Sequence, residues 1–256
     1  MRGEICVGFA SVLSLASMIL LIFAHVGQIN TSKVPHAIFM ARVNVSGYGA
    51  ALTTAFLNEI VGLYTSNATA PLGARAGLRQ FYQFGLYSHC AFVNETAGLC
   101  SNTTVAHRFR PYDYITEDMA SNYSTSTDAI IVGTAFRDSD SLDQSSKAAY
   151  YLILLGTIAV ALAFFSGLAK HNFTFLLSAL FAGIGSLFTL VGAILWTIII
   201  KKSASINSFV IGTDANLSPL GITVSIGIGL YLVWASFACI FASMVPYVVS
   251  CCTYRG

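Results

Sequence analysis

The sequence predicts an all-α membrane protein in which four transmembrane helices support an outer loop that holds a small β-sheet. Composition is the first observation behind this prediction: 55% of the 256 residues are hydrophobic and only 9% are charged, whereas a soluble domain carries about 25% charged residues. The second is a set of four apolar runs, and the third is a long polar segment rich in Asn-x-Ser/Thr between the first two runs. The net charge is only +2 and no tract is rich in lysine or arginine, so we expect no nucleic-acid partner.

Each apolar run is long enough to be a membrane span. The first has about 23 residues, more than the roughly 7–15 of a secretory h-region, and no clean A-x-A site follows it. We interpret it as an uncleaved signal anchor rather than a cleaved signal peptide. The third has about 28 residues, or roughly 42 Å of helix against a hydrocarbon core of roughly 30 Å, so its end should leave the outer side of the membrane near Trp196. Pro246 should kink or end the fourth run. The predicted order is span 1 at 5–27, outer loop 1 at 28–148, span 2 at 149–169, a cytoplasmic turn at 170–172, span 3 at 173–200, outer loop 2 at 201–219, span 4 at 220–249 and a cytoplasmic tail at 250–256.

The orientation of the spans is predicted from N-glycosylation sequons. A single sequon is common by chance, because Asn and Ser also make turns, but a dense set in one loop indicates translocation into the secretory lumen. Both termini are therefore predicted to be cytoplasmic, although Lys201 and Lys202 then lie outside, against the positive-inside tendency. Asn172 also begins a sequon, but it would lie on the cytoplasmic side and should carry no glycan. The predicted glycosylation sites are Asn30, Asn44, Asn67, Asn94, Asn102 and Asn122 in outer loop 1 and Asn216 in outer loop 2.

Three segments of outer loop 1 have a recognisable local pattern. Residues Gly47–Tyr64 have apolar side chains near helical spacing and predict a short amphipathic helix. This helix either lies on the membrane or a partner, or covers the small core of the loop itself, which is the interpretation we favour. The aromatic segment 81–87 and the run Ala129–Phe136 both have the composition of strands, with Gly133 as a bulge or bend.

Cys90 and Cys100 are the only cysteines in the outer loops, and we expect them to form a disulfide in the oxidising secretory lumen. A Gly-Leu-aromatic motif precedes the first cysteine. Gly85 would permit close backbone approach, while Leu86 and Tyr87 would bury apolar surface beside the bilayer. We therefore expect the motif to anchor the sheet rather than to bind a partner.

Small residues at four-residue spacing indicate close helix packing. In span 2 they are Ala159, Ala163 and Gly167, which we expect to face the lipid and to contact a lateral partner. At the end of the chain, Cys251 and Cys252 lie at the cytoplasmic boundary, where they are either palmitoylation sites or free thiols. Further small-residue faces are formed by Ala10, Ser14 and Ser17 in span 1 and by Gly221, Ser225 and Gly229 in span 4.

The sequence predicts neither an enzyme nor a metal or cofactor site. The acidic segment 138–143 lacks the Gly and Glu that an EF-hand loop requires, and it is better suited to capping the helix that follows. Spans two to four contain no Asp, Glu, Lys, Arg or His between their ends, whereas transporters and intramembrane hydrolases normally need such groups at depth. The outer-loop residues that could act as acids or bases, at a spacing that matches no catalytic template, are His89, His107, Asp113, Glu117 and Asp118.

The chain resembles the claudin superfamily in its four spans, its long first outer loop with Gly-Leu-Tyr-Ser-His-Cys at 85–90, the second cysteine at Cys100 and its short second outer loop. The sequon-rich first loop is most similar to the fungal branch, the Sur/PalI family of plasma-membrane proteins. Animal claudins usually have Trp in place of Tyr87 and a further Trp upstream, so tight-junction sealing is not implied here. The resemblance implies a left-handed four-helix bundle capped by an extracellular sheet. It also implies residence in static, eisosome-associated membrane domains, with roles in membrane organisation, cell-wall integrity and, for some members, ambient-pH signalling.

Two functional hypotheses follow from the sequence. The first is a structural organiser that assembles laterally in the plasma membrane and touches wall polymer or lipid rich in sterol or sphingolipid. The second is an auxiliary subunit of a larger membrane complex, such as a channel, a proton pump or a cell-wall polysaccharide synthase. Purification in mild detergent distinguishes them, because self-association alone supports the first and a large partner at fixed stoichiometry supports the second.

Overall fold

The computed structural model describes residues 2–57, 60–169, 172–213 and 216–253. Within them, four helices are long and apolar enough to cross a membrane, and the same residues also contain a five-stranded antiparallel sheet and one disulfide. The predicted fold class is therefore confirmed in these features. The helices are α1 (Arg2–Val26), α2 (Lys33–Ala37), α3 (Tyr48–Phe56), α4 (Pro111–Asp118), α5 (Ser121–Ile130), α6 (Ser139–Gly167), α7 (Asn172–Ser203) and α8 (Ile228–Thr253). The strands are β1 (Ala41–Asn44), β2 (Phe81–Phe84), β3 (His89–Phe92), β4 (Gly98–Cys100), β5 (Val210–Ile211), β6 (Ser218–Pro219) and β7 (Thr223–Ile226).

The chain forms two compact units. The helix unit contains Met1–His25, Ala148–Leu195 and Gly229–Gly256, so it is built from the apolar helices. The sheet unit contains Val26–Lys147 and Trp196–Ile228, so it is built from the two segments that connect α1 to α6 and α7 to α8, together with the adjoining helix ends.

Small residues allow the helices of the helix unit to pack closely. Ala163 is fully buried, and a Cβ added at Gly167 would lie 2.6 Å from the hydroxyl of Tyr247 in α8. A Cβ added at Gly185 of α7 would lie 3.1 Å from a methyl of Val160 in α6. The expectation that the small-residue face of span 2 points to lipid is therefore wrong, because that face is used for contacts inside the unit.

Hydroxyl pairs connect α1 to α8 inside the helix unit. The Ser14 Oγ lies 3.1 Å from the Tyr247 hydroxyl, and the Ser17 Oγ lies 2.7 Å from the Ser236 Oγ. A buried hydroxyl without a partner costs free energy. These pairs therefore help to fix the register of the two helices.

Two of the long helices begin about eight to ten residues away from the predicted start of their span. α6 begins at Ser139, about ten residues before the predicted start of span 2. The amide of Ser141 donates a hydrogen bond to Asp138 Oδ1 at 3.3 Å, which caps the helix, and Lys147 lies 3.1 Å from Asp143 one turn away. α8 begins at Ile228, about eight residues after the predicted start of span 4, because the chain before it forms a strand.

The sheet unit contains a five-stranded antiparallel sheet with the order β4-β3-β2-β1-β7. In β1, Ala41 lies opposite Phe84 of β2 on one side and opposite Ile226 of β7 on the other. Strand β7 lies between α7 and α8, in the part of the sequence predicted as the start of span 4, whereas the other four strands lie in the segment between α1 and α6. Both segments therefore build one sheet.

The predicted helix-packing face of Gly221, Ser225 and Gly229 is wrong. Ser225 lies on β7 opposite Arg42, and Gly229 is the second residue of α8. Gly221 has a φ of +75° and its Cα is packed against the backbone of Gly47, which a Cβ would prevent. The run before α8 is apolar and β-branched, so it pairs as a strand once β1 offers a free edge.

The predicted strand Ala129–Phe136 is also wrong. Its first residues end α5 at Ile130, and its last two begin a 3₁₀ turn at Ala135–Arg137. Between them Gly133 has a φ of +72°, so the bend predicted at this glycine is present. The β-branched side chains of the run did not decide its structure, because strand propensity depends strongly on the available partners.

Helix α3 is shorter than the predicted amphipathic helix. It ends at Phe56, and Leu57 takes a left-handed φ of 55°. Its buried face belongs to the core of the sheet unit, where the Tyr48 hydroxyl lies 2.8 Å from the Thr127 Oγ1 of α5. This arrangement agrees with the favoured interpretation of a helix that covers its own domain.

Candidate functional site

The Gly-Leu-Tyr motif forms the turn between β2 and β3. The amide of Gly85 donates a hydrogen bond to the carbonyl of Ser88 at 2.9 Å, and Leu86 is buried. The loop after β4 holds the same turn, because the amide of Thr104 donates to the carbonyl of Tyr87 at 2.7 Å. The motif is therefore an internal packing element of the sheet unit.

The motif packs against the segment that follows α1. A Cβ at Gly85 would lie 2.5 Å from the carbonyl oxygen of Gly27 and 2.9 Å from the Cβ of Gln28, so glycine is required. Gln28 is buried with a left-handed φ of 59°, and its Nε2 lies 2.9–3.2 Å from three backbone carbonyls of the next loop. The hydroxyl of Ser88 donates to the carbonyl of Gln28. These contacts support the structural role predicted for the motif.

The predicted disulfide is confirmed. Cys90 of β3 and Cys100 of β4 lie opposite each other in the sheet and are bonded, with 10 residues of sequence separation. Cys6 in α1 and Cys239 in α8 are free thiols. The disulfide therefore fixes the β3–β4 hairpin directly after the motif.

A buried ion pair lies beneath the sheet. Arg79 Nη1 is 2.9 Å from Asp118 Oδ2, and the two side chains are 0% and 3% exposed. Asp118 also accepts hydrogen bonds from the Tyr82 hydroxyl at 2.8 Å and from the amide of Gly73 at 2.7 Å, while Arg79 donates to the carbonyl of Ala70. Burial, followed by the charge of Asp118, raises the pKa of Tyr82 well above its ordinary value, so this hydroxyl stays a donor. Asp118, predicted as a candidate acid or base, is thus part of a structural network.

His89 and His107 form a hydrogen-bonded pair next to this network. His89 Nδ1 is 2.9 Å from His107 Nε2, and His107 Nδ1 is 3.1 Å from Thr104 Oγ1. The ring of Tyr114 stacks on His89 with their centroids 4.0 Å apart. Burial, then the charges of His107 and Arg79, lower the pKa of His89 to about 3, and burial lowers the pKa of His107 to about 4. Both imidazoles are therefore neutral at neutral pH.

Of the other two candidate acids, Glu117 lines a cavity of about 200 Å³ together with His89, whereas Asp113 binds partners of its own. Asp113 accepts a hydrogen bond from the Ser139 hydroxyl at 2.7 Å and lies 3.6 Å from Arg110. Glu117 is exposed, and partial burial followed by the charges of Asp113 and Asp118 raises its pKa. The five candidate residues therefore do not form one site. Asp118 is bound in the ion pair with Arg79, His89 and His107 form a pair of their own, and Asp113 and Glu117 are carboxylates nearer the surface. Among the described residues, no three His, Cys, Asp or Glu are placed to hold a metal ion.

A cavity of about 540 Å³ lies beside the histidine pair, between the loop after β4, α4 and the first turns of α6. Its walls combine an aromatic ring, hydroxyls, an amide and two cationic side chains. The main lining residues are Asn102, Thr104, His107, Arg108, Tyr114 and Lys147.

Most of the predicted glycosylation sites lie at the surface of the sheet unit. In the sequon of Asn67, the Oδ1 accepts hydrogen bonds from the amide and hydroxyl of Thr69 at 3.0 and 2.8 Å, which leaves Nδ2 for a sugar. Sugar attachment itself stays a prediction. Asn30, Asn67, Asn94, Asn102 and Asn122 are exposed, whereas Asn44 and Asn216 are partly buried. The side chains of Asn172, Cys251 and Cys252 lie outside the described residues, so those predictions remain open.

Four membrane-length helices and a disulfide-bonded sheet built from both connecting segments define a multi-pass membrane protein. The sequence model of the SUR7/PalI family matches residues 6–245, nearly the whole chain. The chain belongs to the SUR7/PalI family, which confirms the resemblance that its first polar segment suggested. Comparison with curated proteins gives no match.

Proposed function

We propose that this protein is a non-enzymatic organiser of a static plasma-membrane domain and that it supports membrane organisation and cell-wall integrity. In this proposal both termini are cytoplasmic, and the sheet unit faces outward with glycans on its surface. The partners are lipids rich in sterol or sphingolipid and other copies of the chain. Membership of the SUR7/PalI family supports the proposal.

The proposal depends on the bulky apolar side chains that the membrane helices leave exposed on their outer surface. Because the small residues of span 2 are used inside the helix unit, bulky apolar side chains remain on the outside. On α6 and α7 these exposed side chains recur every three or four residues, a spacing that suits packing against another helix as well as contact with lipid. On α6 they are Tyr151, Leu155, Ile158, Leu162 and Phe165. On α7 they are Phe173, Leu176, Leu180, Ile184, Leu187, Val191, Ile194 and Ile198.

The polar chemistry of the protein supports a structural role. The candidate acid Asp118 is held by Arg79 and Tyr82, and the histidine pair is hydrogen-bonded within itself. Spans two to four have no Asp, Glu, Lys, Arg or His between their ends. A reaction or an ion pathway would need free groups of this kind at the site or at depth.

The test is the state of the protein in mild detergent and its mobility in cells. We expect self-association of the purified protein and slow lateral diffusion in the plasma membrane. Replacing Leu180 and Leu187 together by Ala should shift the mass distribution toward the monomer and increase diffusion if the α7 row is the contact. The same double change at Leu155 and Leu162 tests the α6 row separately.

Two outcomes would contradict the organiser role. A large partner at fixed stoichiometry, without self-association, would favour an auxiliary subunit of a channel, pump or polysaccharide synthase. A monomer that diffuses freely in the membrane would contradict both functions.

A further inference from the structure

The cavity beside the histidine pair has a glycosylation sequon at its edge. Asn102 is exposed and lines the cavity, and Thr104, the third residue of the same sequon, lines it too. The Thr104 Oγ1 lies 3.1 Å from His107 Nδ1, so the sequon loop is held against the buried histidine pair. A sugar attached to Asn102 would begin at the mouth of this cavity.

The walls of the cavity match the chemistry of a sugar ring. A sugar offers apolar C–H faces together with hydroxyl and amide groups, so it needs an apolar surface bordered by donors and acceptors. Tyr114 supplies a ring with a polar tip. Arg108, whose side chain is 54% exposed, and Lys147 supply N–H donors.

We propose that this cavity is the seat of the first N-acetylglucosamine of a glycan attached to Asn102, which packs there against Tyr114. The proposal rests on the outward orientation of the sheet unit given in the proposed function. The covalent link supports it, because a tethered sugar is present at a high effective concentration and needs little intrinsic affinity to occupy an adjacent cavity.

Binding in this cavity gives the Asn102 glycan a structural role that a sugar at another exposed site does not have. A sugar in the cavity would lie over His107 and hold the loop that follows β4, whose amide at Thr104 binds the carbonyl of Tyr87 in the motif turn. By contrast, Asn67 is exposed, does not line this cavity and has its Oδ1 bound to Thr69 within its own turn. Asn67 is therefore the matched control site.

The experiment measures how fast peptide-N-glycosidase releases each glycan from the intact, folded, glycosylated protein. Site-specific release is followed by mass spectrometry of the resulting Asn-to-Asp conversion. A seat that is occupied about 90% of the time should slow release at Asn102 about tenfold relative to Asn67, because the enzyme acts on the open fraction. Tyr114→Leu should restore fast release at Asn102 and leave Asn67 unchanged.

Arg108→Ser is a second variant in case Tyr114→Leu does not fold, because the Arg108 side chain is partly exposed. It should also speed release of the glycan at Asn102 and leave release at Asn67 unchanged. Equal release from Asn102 and Asn67 in the wild-type protein would overturn the seat while leaving the outward orientation intact. A protein glycosylated elsewhere but bare at Asn102 would overturn it too. A protein with no glycan at any sequon would overturn both the seat and the orientation.

Discussion

Acidification should destabilise the sheet unit through the pair of His89 and His107. In the folded protein their pKa values are lowered to about 3 and about 4, whereas an unfolded histidine titrates near 6.5. Below about pH 6.5 the unfolded chain therefore binds protons that the folded chain does not. The stability that this pair contributes is complete above that pH and is lost as the pH falls toward about 4.

The magnitude follows from the size of the two pKa shifts. One pKa unit corresponds to about 1.4 kcal/mol, and pH 5 lies about 1.5 units below the unfolded pKa, so each imidazole should lower the free energy of unfolding by about 2 kcal/mol between pH 7.5 and pH 5. Together they would remove about 4 kcal/mol, a large part of the roughly 5–15 kcal/mol that stabilises a typical domain. Glu117 has the opposite effect on stability. Because its pKa is raised in the folded protein, the folded chain takes up this proton more readily than the unfolded chain, and the free energy of unfolding gains from it as the pH falls.

The assay is equilibrium unfolding of the detergent-solubilised protein at several pH values between 7.5 and about 5, with the buried Trp196 as a fluorescence reporter in the sheet unit. His107→Gln keeps a hydrogen-bonding side chain but cannot titrate, so it should reduce the pH dependence by about half. His36→Gln removes an imidazole from another part of the same unit and serves as the control. An unchanged pH dependence in His107→Gln, or stability that rises between pH 6.5 and pH 5, would refute the reasoning.

Four further predictions test the packing of the two units. Cys100→Ser should lower the unfolding free energy by about 2–4 kcal/mol because it opens the β3–β4 disulfide; an unchanged denaturation midpoint would contradict this. Gly85→Ala should reduce the folded yield seen by size-exclusion chromatography, because its Cβ would lie 2.5 Å from a backbone carbonyl oxygen; a wild-type yield would show that the turn can relax. Ala163→Leu should destabilise the helix unit by about 1–3 kcal/mol through overpacking, and the exposed Leu162→Ala should have little effect on the thermal midpoint; equal effects would place both on the lipid face. Arg79→Met should cost about 3–5 kcal/mol in chemical unfolding because it leaves a buried carboxylate unpaired, and wild-type stability would argue against that cost.

The sequence predicts the parts of the fold that depend on local pattern. Cys90 and Cys100 could be paired because no other cysteine lies in the polar segments, and the spans follow from the length of apolar runs. The start of α8 could not be predicted in the same way. The run before it suits a strand and a span equally well, and the choice depends on Arg42 and its neighbours in β1, which lie 183 residues before Ser225.

The candidate site shows the same limit. The sequence names His89, His107 and Asp118 as ionisable residues, but their partners come from distant parts of the chain. Arg79 and Asp118 are separated by 39 residues, and no motif connects them. One signal could have indicated a buried charge, since Arg79 is the single Lys, Arg, Asp or Glu between residues 76 and 94 of an otherwise apolar and aromatic segment.

Strand β1 hydrogen-bonds to β2 on one side and to β7 on the other, and β7 follows three of the four membrane helices in the chain. A protein truncated after the second helix would keep the first polar segment but lose the strand that covers one edge of β1. That bare edge would be a template for aggregation with other chains. A soluble form of the domain therefore has to join residues 26–147 to residues 196–228 through a linker, and an antigen or binding reagent made from the first segment alone would present a sheet that the intact protein does not display.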